Sequence, residues 1–396
     1  MKIKLDRPRL AWYVATKKLS QLPKIIKEIT PQIISDEICR PAQGDVFAIV
    51  VKYVKFGLSA DFLALLDSLS AASVNTIVVC NGAPDAQMKA LLAAKVHRII
   101  VRRNIGRDFG AYRAATLHLH AQGFRPARVI YLNDSVYYLA GPALDDFTRK
   151  LAASPYDVVG ALENHAHSHH LGSYALSLSG AAFADPKILR FWQRYRPYDL
   201  RPYVIKKGEL RLSNTLRRCG YRFDTVYGAE KLADRLAAMS LAEIVDHMRY
   251  LPRHFQVTGM VPALGSAASL ASLFTDGDDD GGSNTRTPPA PRLPLGADAR
   301  PEAALVKATL IDAIMRAVTT HSQIHEGFGL FHRLLDCPLV KKDLLQRDIF
   351  TEHQMVAILD RMPKDESATV LRELINRGRP TYVRGKARFM MDHGLI

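Results

Sequence analysis

The chain has 396 residues, 48% hydrophobic and 23% charged, with a formal net charge of +15. These values describe a globular protein of one large or two ordinary domains. Cys39, Cys80, Cys219 and Cys337 stand far apart with no C-x-x-C pair, which argues against a disulfide framework or a cysteine zinc site and fits a reducing cytoplasm.

The opening Met1–Arg7 stretch lacks the apolar core of a signal peptide. The most membrane-like stretch, Val257–Phe274, is rich in Gly, Ser and Ala and contains Pro262, too weak for a span. The positive charge is concentrated. Residues 95–130 carry Lys95, Arg98, Arg102, Arg103, Arg107, Arg113, Arg125 and Arg128 against Asp108, and residues 187–222 carry eleven Lys or Arg against Asp199 and Glu209. Such a surface either keeps the protein solvated or meets an anion, nucleotide phosphates or an acidic membrane face. No aromatic-interleaved RNA motif, helix-turn-helix or zinc finger supports a nucleic-acid partner.

In chain order, residues 1–42 are basic and partly helical, best over Ser20–Ile29, with Pro31 and Pro41 as breaks. Val46–Val54 is a near-continuous apolar run, the mark of a strand covered on both faces. Ser59 or Asp61 caps a helix carrying Leu63, Leu65, Leu66 and Leu69. Thr76–Cys80 is a second strand, ending in Asn81-Gly82-Ala83-Pro84-Asp85 before a helix over Ala86–Ala94. His97–Val101 is a third. It leads through Asn104-Ile105-Gly106-Arg107-Asp108 into a helix that stops at Gly123. A fourth strand, Arg128–Leu132, delivers Asn133-Asp134-Ser135. This alternation predicts an α/β, Rossmann-type doubly wound mixed sheet with right-handed crossovers. Both polar clusters then fall at the carboxyl ends of strands, where such sheets bind ligands.

Further on, Tyr156–Leu162 reads as a strand, followed by a loop with His165, His167, His169 and His170. Ser173–Ser179 alternates like a strand, and Asp185-Pro186 opens a helix. Gly208-Glu209-Leu210 begins or continues a helix ending at Cys219-Gly220. Asp276–Ser283 and Pro288–Pro291 read as a disordered linker, the acidic run lacking the spacing of a calcium loop. From Pro301 the chain is helical, most clearly over Ala304–Val318, and no internal repeat is present.

This order of units is similar to nucleotide-sugar glycosyltransferases of the single Rossmann-like (GT-A) fold. In their large inverting family, the second strand usually ends in Asp-Asn-Gly-Ser-x-Asp and the fourth in an Asp-x-Asp motif that holds a divalent metal and the diphosphate. The strings Asn104-x-Gly106-Arg107-Asp108, Leu132–Tyr137, Leu171-Gly172-Ser173-Tyr174 and Cys337–Leu345 narrow the resemblance to the rhamnan synthesis protein F family of bacterial surface-polysaccharide assembly. The resemblance spans roughly residues 45–230 and 318–346. It implies a GT-A-like domain over 43–255, with a basic segment over 1–42, a linker over 256–302 and a small helical C-terminal domain over 303–396.

The expected roles follow. A sugar, rhamnose for example, would pass from a nucleotide-diphosphate donor to a glycan or its polyprenyl-diphosphate-linked precursor, at the cytoplasmic face of an anionic membrane. Asn81, Asn104, Gly106, Arg107, Asp108, Asn133 and Ser135 are the donor-binding candidates. Backbone N–H groups of Gly106–Gly110 suit an anion, and Arg107 a phosphate; alternatively Asp108 caps the helix and pairs with Arg107. Asp134 is the catalytic and metal-ligating candidate. Asn133 and Ser135 replace the family's two carboxylates, so the site either binds Mg2+ or Mn2+ through Asp134 or uses Arg or Lys in the ion's place. Glu209 is the candidate base for an inverting transfer, Leu210 standing where relatives have a second acid; the alternative is a carboxylate favoured by the helix dipole. His170, Ser173 and Tyr174 are acceptor-side candidates. The histidine loop either lines that pocket or binds a metal, for which no acidic partner was expected nearby. Lys341 and Lys342 either meet an anionic acceptor or end a solvated helix. Two other readings remain: an inactive glycan-assembly scaffold, or another nucleotide-binding α/β enzyme.

Overall fold

A computed structural model describes residues 7–166, 168–252, 255 and 303–378. The predicted linker over 256–302, including Val257–Phe274, lies outside the described residues, as do His167 and residues 379–396. The chain forms two compact units. Among the described residues, the first holds those up to Ala161 and His170–Val226, and the second holds Leu162–His169 and those from Tyr227 onward.

The first unit is built on an eight-stranded sheet. Its strands are β1 (Ile33–Ile38), β2 (Val46–Tyr53), β3 (Asn75–Asn81), β4 (Arg98–Arg102), β5 (Arg128–Asn133), β6 (Val158–Gly160), β7 (Ala175–Ser179) and β8 (Phe223–Thr225). They lie in the order β1-β4-β3-β2-β5-β7-β6-β8. β4, β3, β2 and β5 are parallel. β1 is antiparallel at one edge, and β7 reverses direction between β5 and β6. The predicted doubly wound mixed α/β sheet is therefore present. The apolar runs of β2 and β3 are buried nearly end to end, the consequence of layers on both faces.

Helices α1 (Arg7–Lys27), α2 (Ala60–Ala71), α3 (Ala86–Ala93), α4 (Arg107–Ala121), α5 (Pro142–Ala152), α6 (Pro186–Arg194) and α7 (Leu210–Arg218) complete the unit. The predicted Asp185 cap forms: Asp185 accepts from the Lys187 N–H with Pro186 at the first position, and Asp85 accepts from the Met88 N–H at the start of α3. Ser59 stands at the N-cap of α2 without a side-chain cap bond. One core side is aromatic: Phe109, Tyr112, Tyr131 and Trp192 pack with ring centroids 5.0–6.0 Å apart.

Two features were not anticipated. α1 begins at Arg7 and runs through Pro23, far longer than the Ser20–Ile29 stretch. β1 carries no buried face, so it lacks the alternation that marks a strand.

The second unit is mainly helical: α8 (Ala229–Ala237), α9 (Leu241–His247), α10 (Ala303–Thr319), α11 (Phe328–Leu335), α12 (Glu352–Ile358) and α13 (Lys364–Asn376). α10 buries Val306, Leu310, Ile314, Ala317 and Val318 at helical spacing. The Arg333 guanidinium lies 4.6 Å from the Tyr250 ring centre and bonds the Asp360 carboxylate. Of the two readings for Lys341 and Lys342, the solvated helix end is not found: Leu339–Lys341 is a short extended segment and Lys342 is buried.

Candidate active site

The strand order reverses at β2. From it the chain steps outward to β3 and β4, then returns to place β5 on β2's other flank. That reversal is a topological switch point, where open α/β sheets leave a crevice beyond the strand ends. β2 and β5 are in register from Val46 and Arg128 to Val51 and Asn133. The next residues, Lys52 and Asp134, meet at the lip. Lys52 Nζ lies 3.1 Å from Asp134 Oδ2, which also accepts the Tyr53 N–H at 3.1 Å. The lysine side chain is 3% exposed and the aspartate 15%, so the pair is largely out of water. The ammonium also lies 5.2 Å from the Phe62 ring centre.

This pair bears on the metal expectation. Mg2+ and Mn2+ want near-octahedral oxygen ligands, usually including one or two carboxylates. Within Asn133-Asp134-Ser135 the one carboxylate is Asp134, and its Oδ2 already receives an ammonium and an N–H. Asn133 is turned inward, its side-chain amide donating to Tyr112 Oη at 3.1 Å and its oxygen accepting the Ser135 N–H at 3.0 Å. The contacts of Asp134 with Lys52 and Tyr53 thus take one of its two oxygens, and Lys52 stands beside the motif as a cation of the protein's own.

From Asn133 a hydrogen-bonded chain runs to Glu209. Tyr112 Oη donates to the Ser173 carbonyl at 3.0 Å, and Ser173 Oγ donates to Glu209 Oε1 at 2.5 Å. His170 Nε2 lies 3.5 Å from Glu209 Oε2, with the imidazole 1% exposed and the carboxylate 18% exposed. Glu209 is aimed by its backbone. Arg201–Tyr203 continues into a wide π-type turn, Val204–Glu209, before α7. Such turns are frequent at functional sites because they rotate one side chain out of helical register. Gly208 permits the approach, since a Cβ there would lie 2.9 Å from the Phe109 ring. Tyr174 is buried, its ring against Gly172 and its carbonyl facing Tyr138 Oη at 3.4 Å.

Asn133, Ser135, Ser173, His170 and Glu209 are thus joined through direct contacts, with Asp134 next to Asn133 in the chain and bound to Lys52 and Tyr53. Of the other donor-side residues, Asp108 lies close enough to the Tyr112 and Tyr138 hydroxyls, both on Asn133, to join burial in raising their pKa values, while Asn81 and the α4 N-terminus have partners of their own. Asn81 is buried and accepts from Arg102 at 2.7 Å; Arg102 in turn reaches Glu28 Oε2 at 3.3 Å. Asn104 is exposed, and Asp108 is half-buried in the first turn of α4. The α4 N-terminus, expected to bind an anion, receives one from its own unit: the Gly106 N–H donates to Asp199 Oδ1 at 2.7 Å, and Arg107 Nε to the Asp199 carbonyl at 2.7 Å. Negative charge is stabilised at that position. Gly106 has φ +81°, and a Cβ there would lie 2.3 Å from Pro197 Cβ, so glycine meets a turn and a close approach as well as any ligand role.

Three residues escaped the sequence reading. Lys52 had a signal, being the sole charge inside the apolar run Val46–Val54. Glu163 had one too, two residues before His165 in a loop for which no acid was expected; it accepts from both His165 and His169. Asp199 had none, being 93 residues from Gly106 in the chain.

Fold and site together define an α/β protein with a polar cluster at the switch point of its sheet. The rhamnan synthesis protein F resemblance carried by the motifs is borne out, for that family's model matches residues 76–248. The uncharacterised protein y4gN of Sinorhizobium fredii (strain NBRC 101917 / NGR234) is 28% identical over 197 residues, 49% of this chain and 51% of its own. The chain thus spans about half the length of that curated relative. Among solved structures, the glycosyltransferase GlyE of Streptococcus pneumoniae TIGR4 aligns at 10% identity with a TM-score of 0.29, covering 46% of this chain and 45% of its own. The mannosyltransferase PcManGT of Pyrobaculum calidifontis, solved with GDP-Man and Mn2+, aligns at 10% identity with a TM-score of 0.28, covering 55% and 64%. Superpositions this partial carry no functional argument.

Proposed function

We propose that the first unit is a glycosyltransferase domain moving a sugar, rhamnose in the simplest case, from a nucleotide-diphosphate donor onto a bacterial surface polysaccharide or its polyprenyl-linked precursor. The observation that carries this reading is the hydrogen-bonded chain from Asn133, beside Asp134 at the switch point, to the Glu209 carboxylate. It joins a cation-bearing strand end to a positioned base. The family match over residues 76–248 supports it.

In this reading Glu209 accepts the proton of the acceptor hydroxyl as that oxygen attacks the anomeric carbon. The bond from that carbon to the diphosphate oxygen breaks, and its electron pair leaves with the diphosphate, inverting the centre. Lys52 meets the charge that develops on the leaving group, held in place by Asp134. Ser173 and His170 orient the Glu209 carboxylate. Donor binding is then independent of divalent metal.

The test is transfer from a panel of sugar nucleotides in EDTA. Glu209→Gln should lower kcat about 10²–10⁴-fold, the usual contribution of a positioned base, with donor binding retained. Wild-type rates in that variant would sink the mechanism, and failure of every sugar nucleotide to bind would sink the function.

The acceptor side of the proposal includes a membrane surface. α1 packs inward through Gln21 and Ile25, with Glu28 buried just past its end; Gln21 accepts the Asp199 N–H at 3.0 Å. Its outward stripe is apolar, with Trp12, Leu19, Leu22 and Ile26 between 42% and 70% exposed. At 3.6 residues per turn, Lys18 and Lys27 flank that stripe on either side. An apolar strip edged by lysines suits the interface of an anionic bilayer, and no helix among the described residues is long and apolar enough to cross one. Leu19→Glu with Ile26→Glu should abolish flotation with phosphatidylglycerol vesicles; unchanged flotation would remove this part of the proposal.

A further inference from the structure

Outside the switch-point cluster, the second unit gathers donor atoms around one carboxylate. Glu163, His165 and His169 each present one ligand atom, all within 4.8 Å of one another. His169 Nε2 lies 2.8 Å from Glu163 Oε1, and His165 Nε2 lies 3.3 Å from Oε2. The two imidazole rings are 4.9 Å apart, centre to centre. One carboxylate thus serves two rings through the same nitrogen of each, so three donor atoms converge on one point.

The backbone around this point is held. The Glu163 N–H donates to Gln323 Oε1 at 3.0 Å, and Gln323 Nε2 lies 3.5 Å from Glu163 Oε2. Gln323 is fully buried. The His165 N–H donates to the His321 carbonyl at 3.0 Å, and Asn164 bridges Ser322. A buried amide fixing a ligating carboxylate is the kind of outer partner that metal sites use. All three ligand residues are half-buried, so the cluster is open to ions from solution.

We propose that Glu163, His165 and His169 bind a zinc-class divalent transition-metal ion. Two imidazoles and a carboxylate suit Zn2+, at about 2.0–2.2 Å per bond, and disfavour Mg2+, which prefers oxygen. In a tetrahedral site with such bonds, neighbouring donors stand about 3.4 Å apart. The His169 and His165 nitrogens stand 2.8 and 3.3 Å from the two Glu163 oxygens, just inside that spacing, so the ion requires small side-chain adjustments and no rearrangement of the chain. On entry of the ion each Nε2 proton passes to Nδ1 of the same ring or to solvent, freeing the Nε2 lone pair for the metal. Three protein ligands leave one position for water or a substrate oxygen, the pattern of an open rather than a closed site.

The test uses the untagged full chain, stripped with chelator and titrated calorimetrically with ZnCl2 and, separately, MgCl2. One zinc per chain is expected, with no saturable magnesium binding at the same concentrations. His169→Ala and Glu163→Gln should each remove the site, and Gln323→Ala should weaken it 10–100-fold, the usual effect of losing an outer partner. Asp134→Asn should leave zinc binding unchanged, separating this site from the proposed donor crevice. Absence of zinc binding in the wild type, or unaltered binding in both ligand variants, overturns the proposal. Should those variants unfold, Co2+ added to wild type decides. Visible absorption of a nitrogen-ligated four- or five-coordinate ion supports the site, and the spectrum of hydrated Co2+ refutes it.

Discussion

The Lys52–Asp134 pair permits a quantitative test. At 3.1 Å and an effective dielectric near 20, two unit charges attract by about 5 kcal/mol. Desolvation of both groups offsets part of this, and removing one member of a buried pair typically costs about 3–5 kcal/mol. Lys52→Met leaves Asp134 with the Tyr53 N–H and 15% exposure to water, so a loss near the lower end, about 3 kcal/mol, is expected. Asp134→Asn strands an ammonium that is 3% exposed, and about 4 kcal/mol is expected. The double variant should be less destabilised than the sum, with a coupling of about 2–3 kcal/mol. Urea unfolding of the four proteins measures this. In parallel, sugar-nucleotide affinity measured in EDTA should fall at least tenfold in Lys52→Met. Additive stability losses would refute the ion pair as the organiser of the lip. Donor binding that is lost in EDTA and restored by Mn2+ would refute the assignment of the cationic role to Lys52.

Other predictions concern the same framework. Ser173→Ala removes the 2.5 Å hydrogen bond to Glu209; transfer should slow about tenfold, less than for Glu209→Gln, with the acidic limb of the pH–rate profile displaced, and an unchanged profile would refute a positioning role. Gly106→Ala forces a left-handed residue against Pro197, and about 2–4 kcal/mol of stability should be lost in urea unfolding. Burial pushes the Glu326 carboxyl from 4.5 up to about 7. The folded state therefore holds a proton that the unfolded state releases above 4.5. Stability is full below that pH, falls as pH rises through the interval and levels off above about 7, a loss of about 3 kcal/mol. Glu326→Gln should flatten that part of the stability–pH curve; an unchanged slope would refute the shift.

Much of the architecture was legible in the chain because it rests on local rules. Buried parallel strands announce themselves as runs such as Val46–Val51, and Asp85 and Asp185 cap helices through bonds to residues two or three positions on. The order of strand-end motifs was enough to place Asp134 at a carboxyl edge and to draw the family resemblance. Local rules fail where periodicity is absent, which is why the mostly exposed edge strand Ile33–Ile38 and the full length of the helix Arg7–Lys27 went unread.

What the tertiary structure decided is which charged groups meet. Lys52 and Asp134 are 82 positions apart, joined because β2 and β5 pair in parallel with a register set by backbone hydrogen bonds. Asp199 fills the α4 N-terminus from 93 residues away, and Glu209 meets Ser173 across 36. No periodicity or composition encodes such meetings. They follow from how separate strands and turns stack, and they determine whether a carboxylate at a strand end faces a metal or a lysine.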